Sequence, residues 1–462
     1  MLEKRLLREF EKALSKERVK YQPEDLISYS YDAYLSEFQP EAVLLPLSTQ
    51  ELVRVMKIAT QYEVPVTPRG SGTNLFSGSL AKQGGIILCF SLMNKIPEID
   101  PANRYAIVEP GVIVADLQRQ VEARGLFYPP DPGSSSIATI GGTVNTNAGG
   151  MRGVKYGVTR DYILGLELVL VNGDIIQVGS RVAKDVVGYD LVRLICGSEG
   201  TLALTTLITL RLLPKPETRR TILAAYLRLE DASRTVAEIM GAGIIPATLE
   251  LMDRVIIKAV EDFLHMGLPL DVEGLLLIEV DGYQGAVMQQ LEVISHLCTS
   301  LGAQSIKVAT SERENEQLWL ARRSAFGAMA RVKPNCIIED ATVPVSYLPT
   351  AIKRVQEIAH KYELLIGVLA HAGDGNLHPF ILVDGRNPEE LLKVEKASEE
   401  LFRYAVSVGG TLSGEHGIGT AKYRYLGLKL DPLSLEIMRK IKKIFDPQGI
   451  LNPGSFLELS KT

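Results

Sequence analysis

The stretch Pro68-Arg-Gly-Ser-Gly-Thr-Asn74 follows the apolar run Val64-Pro-Val-Thr and is built of residues that turn the backbone sharply. Glycine adopts backbone conformations that other residues avoid, so neighbouring N–H groups can turn together toward an anion and form a nest. The hydroxyls of Ser71 and Thr73 are two further potential donors. The stretch predicts a phosphate-binding turn after a β-strand, although one such loop is as often a tight connection.

Two further loops of the same composition follow in the chain: Pro132-Gly-Ser-Ser-Ser136 and Gly141-Gly-Thr-Val-Asn-Thr-Asn-Ala-Gly-Gly150. Small residues stand where bulk would block a ligand, and three such loops in one region favour an extended cofactor groove over tight connections. Gly70-Ser-Gly72 is followed by Leu75 where a Rossmann motif needs its third glycine, and no P-loop motif is present. A nicotinamide-type dinucleotide site and a P-loop are therefore disfavoured.

A second motif, His371-Ala-Gly-Asp-Gly-Asn-Leu-His378, lies in the C-terminal half of the chain. Asp374-Gly375 is a dipeptide typical of two-residue type I′ turns, and apolar runs lead into it and out of it. Such a turn would place His371 and His378 directly opposite each other, with Cβ atoms roughly 5 Å apart. Two imidazoles at that distance can share one metal ion.

The segment Ser413-Gly-Glu-His-Gly-Ile-Gly419 lies some forty residues further on and offers Glu415 as a third ligand. Two histidines and one carboxylate leave a coordination position open, as in catalytic metal sites. The alternative interpretation is two unrelated core histidines beside a polar turn. Asp374 and Asn376 are expected to serve the turn or to support the ligands rather than to bind the metal.

Composition narrows the function classes. The chain has 462 residues, a net charge of −5 and no basic cluster, which argues against nucleic acid as a partner. Its four cysteines are far apart and form no C-x-x-C pair, so we expect no zinc ribbon, iron–sulfur cluster or disulfide framework. A reduced cytoplasmic setting fits this pattern best.

Targeting and membrane signals are not apparent. The N-terminus mixes acidic and basic residues at helical spacing, unlike a presequence or a signal peptide. The apolar runs Leu275 to Val280 and Leu364 to Ala370 are far too short to span a bilayer. We therefore expect no direct membrane span, and any membrane association through a partner.

The pattern of strands and helices predicts an α+β fold in three parts. Residues 1–40 form an N-terminal helical segment, residues 41–217 a cofactor-binding domain, and residues 218–458 a second α+β domain that contains the histidine motifs. The boundary between the two domains is Pro214-Lys-Pro-Glu217, which places two prolines on a polar connector.

The glycine-rich stretches, with Lys155-Tyr-Gly-Val-Thr-Arg-Asp161 and Gly197-Ser-Glu-Gly-Thr-Leu202, resemble the PCMH-type FAD domain of the vanillyl-alcohol-oxidase superfamily. The histidine motifs and Phe445-Asp-Pro-Gln-Gly-Ile-Leu-Asn-Pro-Gly454 resemble one branch of it, the FAD-linked D-2-hydroxyacid dehydrogenases, which include glycolate oxidase flavoprotein subunits and D-lactate dehydrogenases. The motifs occur in order from about residue 40 to 456. The resemblance implies a PCMH-type FAD-binding domain followed by a substrate or cap domain with an antiparallel sheet.

The cofactor implied by the resemblance is FAD, with its pyrophosphate on residues 69–74 and on Gly142 and Thr143. Many relatives attach FAD through a histidine, but the first histidine of this chain is His265. We therefore expect non-covalent FAD. The residues assigned to the cofactor are Pro68, Arg69, Gly70, Ser71, Gly72, Thr73, Asn74, Pro132, Gly133, Ser134, Gly142, Thr143, Asn145, Gly149, Gly150, Tyr156, Gly157, Glu199, Gly200 and Asn452.

The resemblance also assigns the chemistry. His371, His378 and Glu415 would bind a divalent metal, zinc with manganese or iron as alternatives, and His416 would take the proton of the substrate hydroxyl. Arg322, in Trp319-Leu-Ala-Arg322, would bind the substrate carboxylate through its planar fork. The alternative for this helix is an ordinary core tryptophan with a solvated arginine.

Two departures from relatives bear on the substrate. Where the hydroxyglutarate enzymes have an asparagine two residues after the second histidine, this chain has Phe380, and Glu339 replaces a lysine. Both changes remove contacts for a distal carboxylate, so D-lactate or glycolate is expected, oxidised to the 2-oxo acid by hydride transfer to flavin N5.

The sequence contains no iron–sulfur ligands and no nicotinamide site, so electrons must leave to another protein, to a quinone or to oxygen. We expect a protein acceptor, either an iron–sulfur subunit or an electron-transferring flavoprotein. Two other functions compete with this prediction. One is a non-catalytic FAD-binding subunit of a larger oxidase, and the other is a metal-dependent hydrolase, which would leave the glycine-rich half unexplained.

Overall fold

The computed structural model describes residues 2–456. Its strands are β1 (Val19–Lys20), β2 (Ala42–Leu44), β3 (Val66–Arg69), β4 (Ile86–Cys89), β5 (Glu98–Asp100), β6 (Tyr105–Val108), β7 (Leu126–Phe127), β8 (Ile163–Val169), β9 (Ile175–Gly179), β10 (Leu204–Arg211), β11 (Leu213–Pro214), β12 (Thr218–Tyr226), β13 (Thr248–Asp253), β14 (Gly274–Gly282), β15 (Ala303–Val308), β16 (Asn335–Ile338), β17 (Ala341–Thr342), β18 (Leu365–His371) and β19 (Asn376–Val383). Its α-helices are α1 (Lys4–Ala13), α2 (Pro23–Ile27), α3 (Thr49–Gln61), α4 (Val114–Glu122), α5 (Ile140–Thr146), α6 (Gly153–Tyr156), α7 (Leu191–Ile195), α8 (Leu229–Gly241), α9 (Arg254–Leu264), α10 (Gln284–Ser300), α11 (Glu312–Arg323), α12 (Ala325–Met329), α13 (Leu348–Tyr362), α14 (Pro388–Ser407), α15 (Leu426–Lys429) and α16 (Pro432–Phe445).

The chain packs into two compact units that are discontinuous in sequence. Unit 1 contains the chain up to Gly149, Val158–Lys215, and the chain from Glu415 onward. Unit 2 contains Gly150–Gly157 and Pro216–Gly414. The sequence predicts contiguous domains, and these bounds stay a prediction. In the structure, the chain changes from unit 1 to unit 2 at Pro216 and returns to unit 1 at Glu415.

Unit 1 is built on two principal sheets. In the first, β4 lies between β2 and β3 and is parallel to both, and β1 is antiparallel to β2. Strands of parallel sheets are covered on both faces and therefore read as continuous apolar runs, and every residue of β4 is buried. The second sheet is antiparallel, in the order β5-β6-β10-β8-β9.

The N-terminal segment contributes to the core of unit 1. Phe10 of α1 is fully buried in one cluster with Leu52 and Met56 of α3. The last described segment pairs with β3 as well, because the N–H of Val66 donates to the carbonyl of Ile450 at 2.8 Å. Residues far apart in sequence are thereby fixed around the loop that follows β3.

Unit 2 contains one eight-stranded antiparallel sheet, as the sequence predicts. Its order is β15-β12-β14-β13-β18-β19-β16, and β17 also pairs with β19. The register places Glu250 of β13 directly opposite His371 of β18. The sheet therefore brings a buried acid beside the first histidine of the motif.

A buried ion pair holds the end of α16 in unit 1. The Nζ of Lys442 donates to the carboxylate of Asp446 and to the carbonyls of Thr201 and Leu451, at 2.7 and 2.8 Å. Asp446 also accepts from the N–H groups of Ile450 and Leu451, at 3.1 and 2.8 Å. The aspartate of the Asp-Pro-Gln-Gly turn is thus the acceptor that organises the turn.

Replacing Lys442 by methionine should lower the free energy of unfolding by about 3–5 kcal/mol, because the carboxylate of Asp446 would remain buried without its cation. Urea denaturation would measure the loss. The double variant Lys442→Met/Asp446→Asn should lose less, since it buries no unpaired charge, and a single variant as stable as wild type would contradict this account.

Candidate active site

A cleft with about 310 Å³ of empty space opens in unit 1 at the end of β3 and the first turn of α5. Its lining residues are Pro68, Arg69, Gly70, Phe90, Pro110, Thr139, Gly141, Gly142, Asn145, Leu204 and Thr205. Five of them, Pro68, Arg69, Gly70, Gly142 and Asn145, belong to the set assigned to the cofactor from the sequence. The two glycine-rich loops therefore meet at one cleft.

Two positions that line this cleft carry glycine because neighbouring atoms lie too close to leave room for a Cβ. A Cβ on Gly70 would lie 2.2 Å from Oγ1 of Thr139, and one on Gly141 would lie 2.5 Å from Cβ of Pro110. Thr139 also caps α5, because its Oγ1 accepts from the N–H of Gly142 at 3.2 Å. A larger side chain at either glycine would force the loop and the helix apart.

Two polar atoms in the cleft suit a ligand. Within residues 2–456, Oδ1 of Asn145 and Oγ1 of Thr205 are buried and have no hydrogen-bond partner. Buried polar atoms are normally satisfied, so a bound group with matching donors or acceptors would complete both. Together with the apolar side chains of Phe90 and Leu204, they fit a cofactor that has both polar and aromatic parts.

Several side chains that were expected to face phosphate bond elsewhere within unit 1. The guanidinium of Arg69 donates to the carbonyl of Tyr31 at 2.8 Å, and the hydroxyl of Ser71 donates to the carbonyl of Ile137. The hydroxyl of Thr143 donates to the carbonyl of Ile140 at 2.9 Å, one turn back in α5. The local fold already uses the Ser71 hydroxyl as a donor, and the assignment of Ser71 to the cofactor stays a prediction.

The histidine hairpin of unit 2 differs from the predicted turn. The loop between β18 and β19 has four residues, Ala372 to Gly375, and not two. His371 pairs with Asn376, and His378 pairs with Leu369, so the two histidines are diagonal rather than opposite. A register shift of two residues keeps side chains on the same face. The imidazoles therefore still meet, with ring centroids 4.9 Å apart.

Backbone hydrogen bonds and φ angles explain why this turn has four residues. The N–H groups of Asp374 and Gly375 both point back to the carbonyl of His371, at 3.3 and 3.1 Å. Gly375 has a φ of +79°, whereas Asp374 does not enter the left-handed region. A type I′ turn needs positive φ at both central residues, and the chain supplies it at only one.

Glu250 braces the first histidine. Its fully buried carboxylate lies 2.6 Å from Nδ1 of His371 and accepts from Nε of Arg322 at 2.5 Å. Burial alone would raise the pKa of Glu250, but the charges of Arg322 and His371 hold that pKa below its usual value. An ionised carboxylate only accepts hydrogen bonds, so Nδ1 of His371 carries a proton and donates it to Glu250.

Asp340 lies near the second histidine and forms hydrogen bonds to the segment that contains Ser413 and Gly414. One of its buried oxygens accepts from the hydroxyl of Ser413 at 2.7 Å and from the N–H of Gly414 at 2.9 Å. The other oxygen lies 4.0 Å from Nδ1 of His378. Asp340 therefore fixes the last residues of unit 2, immediately before Glu415 in the chain.

Glu415 and His416 belong to unit 1. A Cβ on Gly149 would lie 2.5 Å from Oε2 of Glu415, which accounts for glycine at that position. The ring of His416 lies beside the ring of Phe76, with centroids 6.0 Å apart. The sequence-predicted metal set thus draws its histidines from unit 2 and its carboxylate from unit 1, and it stays a prediction.

The remaining cofactor residues predicted from the sequence do not line this cleft. In unit 2, the hydroxyl of Tyr156 donates to Asp281 at 2.7 Å. Gly150 and Gly157 are the first and last residues of the segment of unit 2 that contains Tyr156. The others are in unit 1: Ser71, Gly72, Thr73, Asn74, Pro132, Gly133, Ser134, Thr143, Gly149, Glu199, Gly200 and Asn452.

Family models match both halves of the chain. Residues 40–179 match an FAD binding domain, and residues 215–456 match the C-terminal domain of FAD linked oxidases. The chain belongs to the FAD-linked oxidase family. The cleft of unit 1 accordingly lies in the FAD-binding part of a flavoprotein oxidoreductase.

Individual relatives agree with this family. The chain is 50% identical over 428 residues to glycolate oxidase subunit GlcD of Bacillus subtilis (strain 168), covering 92% of this chain and 91% of that protein. It is 34% identical over 420 residues to the mitochondrial D-lactate dehydrogenase [cytochrome] of Arabidopsis thaliana, covering 90% and 73% of the two chains.

Among solved structures, p-cresol methylhydroxylase with substrate bound is similar in fold, with a TM-score of 0.81 and 20% identity over 99% of this chain and 97% of that chain. The predicted fold class of this FAD-linked oxidase, a PCMH-type FAD-binding domain followed by an α+β domain with an antiparallel sheet, is confirmed.

Several site residues were missed from the sequence, and four of them carry polar groups. Thr139 and Thr205 line the cleft, and Glu250 and Asp340 hold the histidine motifs. A signal was present for Glu250, which is an acidic residue within the apolar strand Thr248 to Met252. Buried acids are rare unless they are paired, so such a residue merits a search for its partners.

The hairpin of this FAD-linked oxidase should not tolerate alanine at Gly375. A Cβ there would lie 2.0 Å from the carbonyl oxygen of Val343, in addition to roughly 1–2 kcal/mol of strain from the positive φ. Gly409→Ala is the matched control, because Gly409 has a φ of +87° but nothing within 4 Å of its added Cβ. Urea denaturation should show a clearly larger loss for Gly375→Ala, and equal losses would contradict the close approach.

Proposed function

We propose that this flavoprotein is a dehydrogenase that oxidises a small D-2-hydroxy acid, D-lactate or glycolate, to the 2-oxo acid. The observation that carries the proposal is the buried pair His371 and His378, braced by Glu250 and Arg322, in a chain whose other unit is an FAD-binding domain. The names of two relatives, a glycolate oxidase subunit and a D-lactate dehydrogenase, support this substrate class.

FAD supplies the hydride acceptor at its flavin N5. The cleft of unit 1 fits this group through the unpartnered atoms of Asn145 and Thr205 and through the close approach at Gly70. The attachment is non-covalent in this proposal, since residues 1–264 contain no histidine that could link to the flavin.

His371, His378 and Glu415 are the proposed ligands of a divalent metal, zinc with manganese or iron as alternatives. The donor types fit, because the buried imidazole of His371 is held through Nδ1 by the carboxylate of Glu250, an arrangement typical of metal ligands. The metal supplies Lewis-acid chemistry, which lowers the pKa of a bound hydroxyl group.

Arg322 is proposed to bind the substrate carboxylate. Its Nε is taken by Glu250, which fixes the plane of the guanidinium. An arginine fork held in one plane can offer its terminal nitrogens to a carboxylate with two parallel hydrogen bonds. Its burial in unit 2 argues against the alternative of a solvated arginine.

His416 is proposed to take the proton of the substrate hydroxyl as hydride leaves the carbon that bears it. Its ring lies against Phe76, and the neighbouring Gly417 and Gly419 have positive φ values of +86° and +53°. These conformations free the loop from the alternation of a strand, so that Glu415 and His416 need not face opposite ways.

The walls near His378 favour a small substrate. Phe380 is buried two residues further along β19 and lies on the same face as His378. Glu339 is also buried, but it lies opposite Pro379 in the register, on the other face of the sheet from His378. The aromatic ring of Phe380 disfavours a second substrate carboxylate, which supports D-lactate or glycolate over D-2-hydroxyglutarate.

The electron acceptor is proposed to be another protein, an iron–sulfur subunit or an electron-transferring flavoprotein. The word subunit in the name of the Bacillus subtilis relative supports a multi-protein assembly. Among residues 2–456, no helix combines the length and the apolar character needed to cross a bilayer. A cytoplasmic location, with any membrane association through the partner, completes the proposal.

Metal binding should depend on the histidine pair. His371→Ala should lose the divalent metal, measured by elemental analysis after dialysis, while it keeps FAD, because the cleft lies in unit 1. His360→Ala is the control, since His360 is exposed on α13 and has no place in the site. A His371 variant with wild-type metal content would defeat the ligand assignment.

Anaerobic addition of D-lactate or glycolate should bleach the flavin absorbance of the wild-type protein, as followed by stopped flow. His416→Asn should slow this reduction by about 10²–10⁴-fold, the usual contribution of a general base, with substrate affinity nearly intact. Arg322→Lys should weaken binding as well, because lysine has no bidentate fork.

The flavin absorption spectrum also distinguishes the proposed dehydrogenase from a non-catalytic FAD-binding subunit. A yellow protein that no 2-hydroxy acid of either hand bleaches would indicate the non-catalytic subunit. If His416→Asn were reduced at the wild-type rate, the proton would go elsewhere and the role of His416 would be withdrawn.

A further inference from the structure

Glu199 of unit 1 is a buried acid whose side chain does not line the FAD cleft. Its Oε1 accepts from the N–H of Ile418 at 2.6 Å, and its Oε2 accepts from the N–H of Gly419 at 2.8 Å. The hydroxyl of Ser455 also donates to Oε2, at 3.2 Å. The sequence resemblance assigned Glu199 to FAD, but its carboxylate is directed at the loop that contains His416.

The main chain of Glu199 contacts the cleft. Its N–H donates to the carbonyl of Asn145 at 2.8 Å, and its carbonyl accepts from the side chain of Asn452 at 2.7 Å. Its φ of +54° is unusual for a residue with a side chain. One residue therefore bonds to the cofactor cleft through its backbone and to the His416 loop through its carboxylate.

The loop has no regular structure of its own to hold it. Residues 415–419 lie outside helices and strands, so their N–H groups lack the repeating partners of secondary structure. A Cβ on Gly419 would lie 1.9 Å from the carbonyl of Phe76, and the N–H of Thr420 donates to that carbonyl at 2.9 Å. The glycine-rich turn is thus packed between Glu199 and Phe76.

Both oxygens of Glu199 take part in this arrangement. Burial raises the pKa of Glu199, and the N–H groups of Ile418 and Gly419 oppose that rise. Bonds to both oxygens fix the carboxylate at two points, which prevents the loop from rotating about a single contact.

We propose that Glu199 is a positioning residue, whose buried carboxylate holds the turn at Gly417 to Gly419 and thereby fixes the imidazole of His416 beside Phe76. The inference rests on the proposed role of His416 as the base. A misplacement of about 1 Å at a reacting group can cost on the order of 10²-fold in rate, so such a support should matter for turnover.

The test is Glu199→Gln, which keeps the size of the side chain but turns an amide NH2 toward one of the two N–H donors. We expect full FAD content, faster hydrogen exchange at the amides of Ile418 and Gly419, and flavin reduction slowed by about 10²-fold. Ser455→Ala is the matched control, because it removes the third donor to the same carboxylate and leaves both loop bonds in place. It should change neither exchange at these amides nor the reduction rate.

Unchanged exchange at Ile418 and Gly419 in Glu199→Gln would overturn the inference, and unchanged exchange with loss of FAD would return Glu199 to the cofactor. If that variant does not fold, the wild-type protein decides, because these two loop amides must exchange slowly if Glu199 holds them. A His416→Asn variant that is reduced at the wild-type rate would remove the role of His416, while the exchange result would still report on Glu199 alone.

Discussion

The burial of the Glu250 carboxylate constrains the histidine site of unit 2 more than any other single interaction. A carboxylate inside a β-sheet is costly unless charges and hydrogen bonds compensate it. Arg322 on one side and His371 on the other provide both. One acid therefore fixes the protonated nitrogen of the histidine and the plane of the guanidinium, so these residues are interdependent.

Buried acids hold three separate segments of this protein. Glu250 braces the hairpin, Asp340 holds Gly414 at the end of unit 2, and Glu199 holds Gly419 in unit 1. Glycine-rich loops let functional side chains face a ligand but contribute little packing of their own. A carboxylate that accepts backbone N–H groups restores order without adding bulk near the ligand.

The sequence predicted the fold class and the proximity of His371 and His378, but not their register. Apolar runs and the Asp374-Gly375 pair predicted a hairpin. The predicted register differs from the observed one by two residues, and a shift of two leaves both imidazoles on the same face of the sheet. The turn length depends on backbone bonds to the carbonyl of His371, which residue types do not specify. Glu250 was missed because its partner His371 lies 121 residues away in the chain.

The cleft of unit 1 shows a different limit of sequence reasoning. Hydroxyl-bearing residues in glycine-rich loops suggest phosphate donors, yet Ser71 and Thr143 donate to carbonyl groups of the protein itself. The unpartnered polar atoms are on Asn145 and on Thr205, in a strand whose sequence looked purely structural. The hydroxyls of Ser71 and Thr143 therefore stabilise their own loops, a use that residue type alone does not distinguish from phosphate binding.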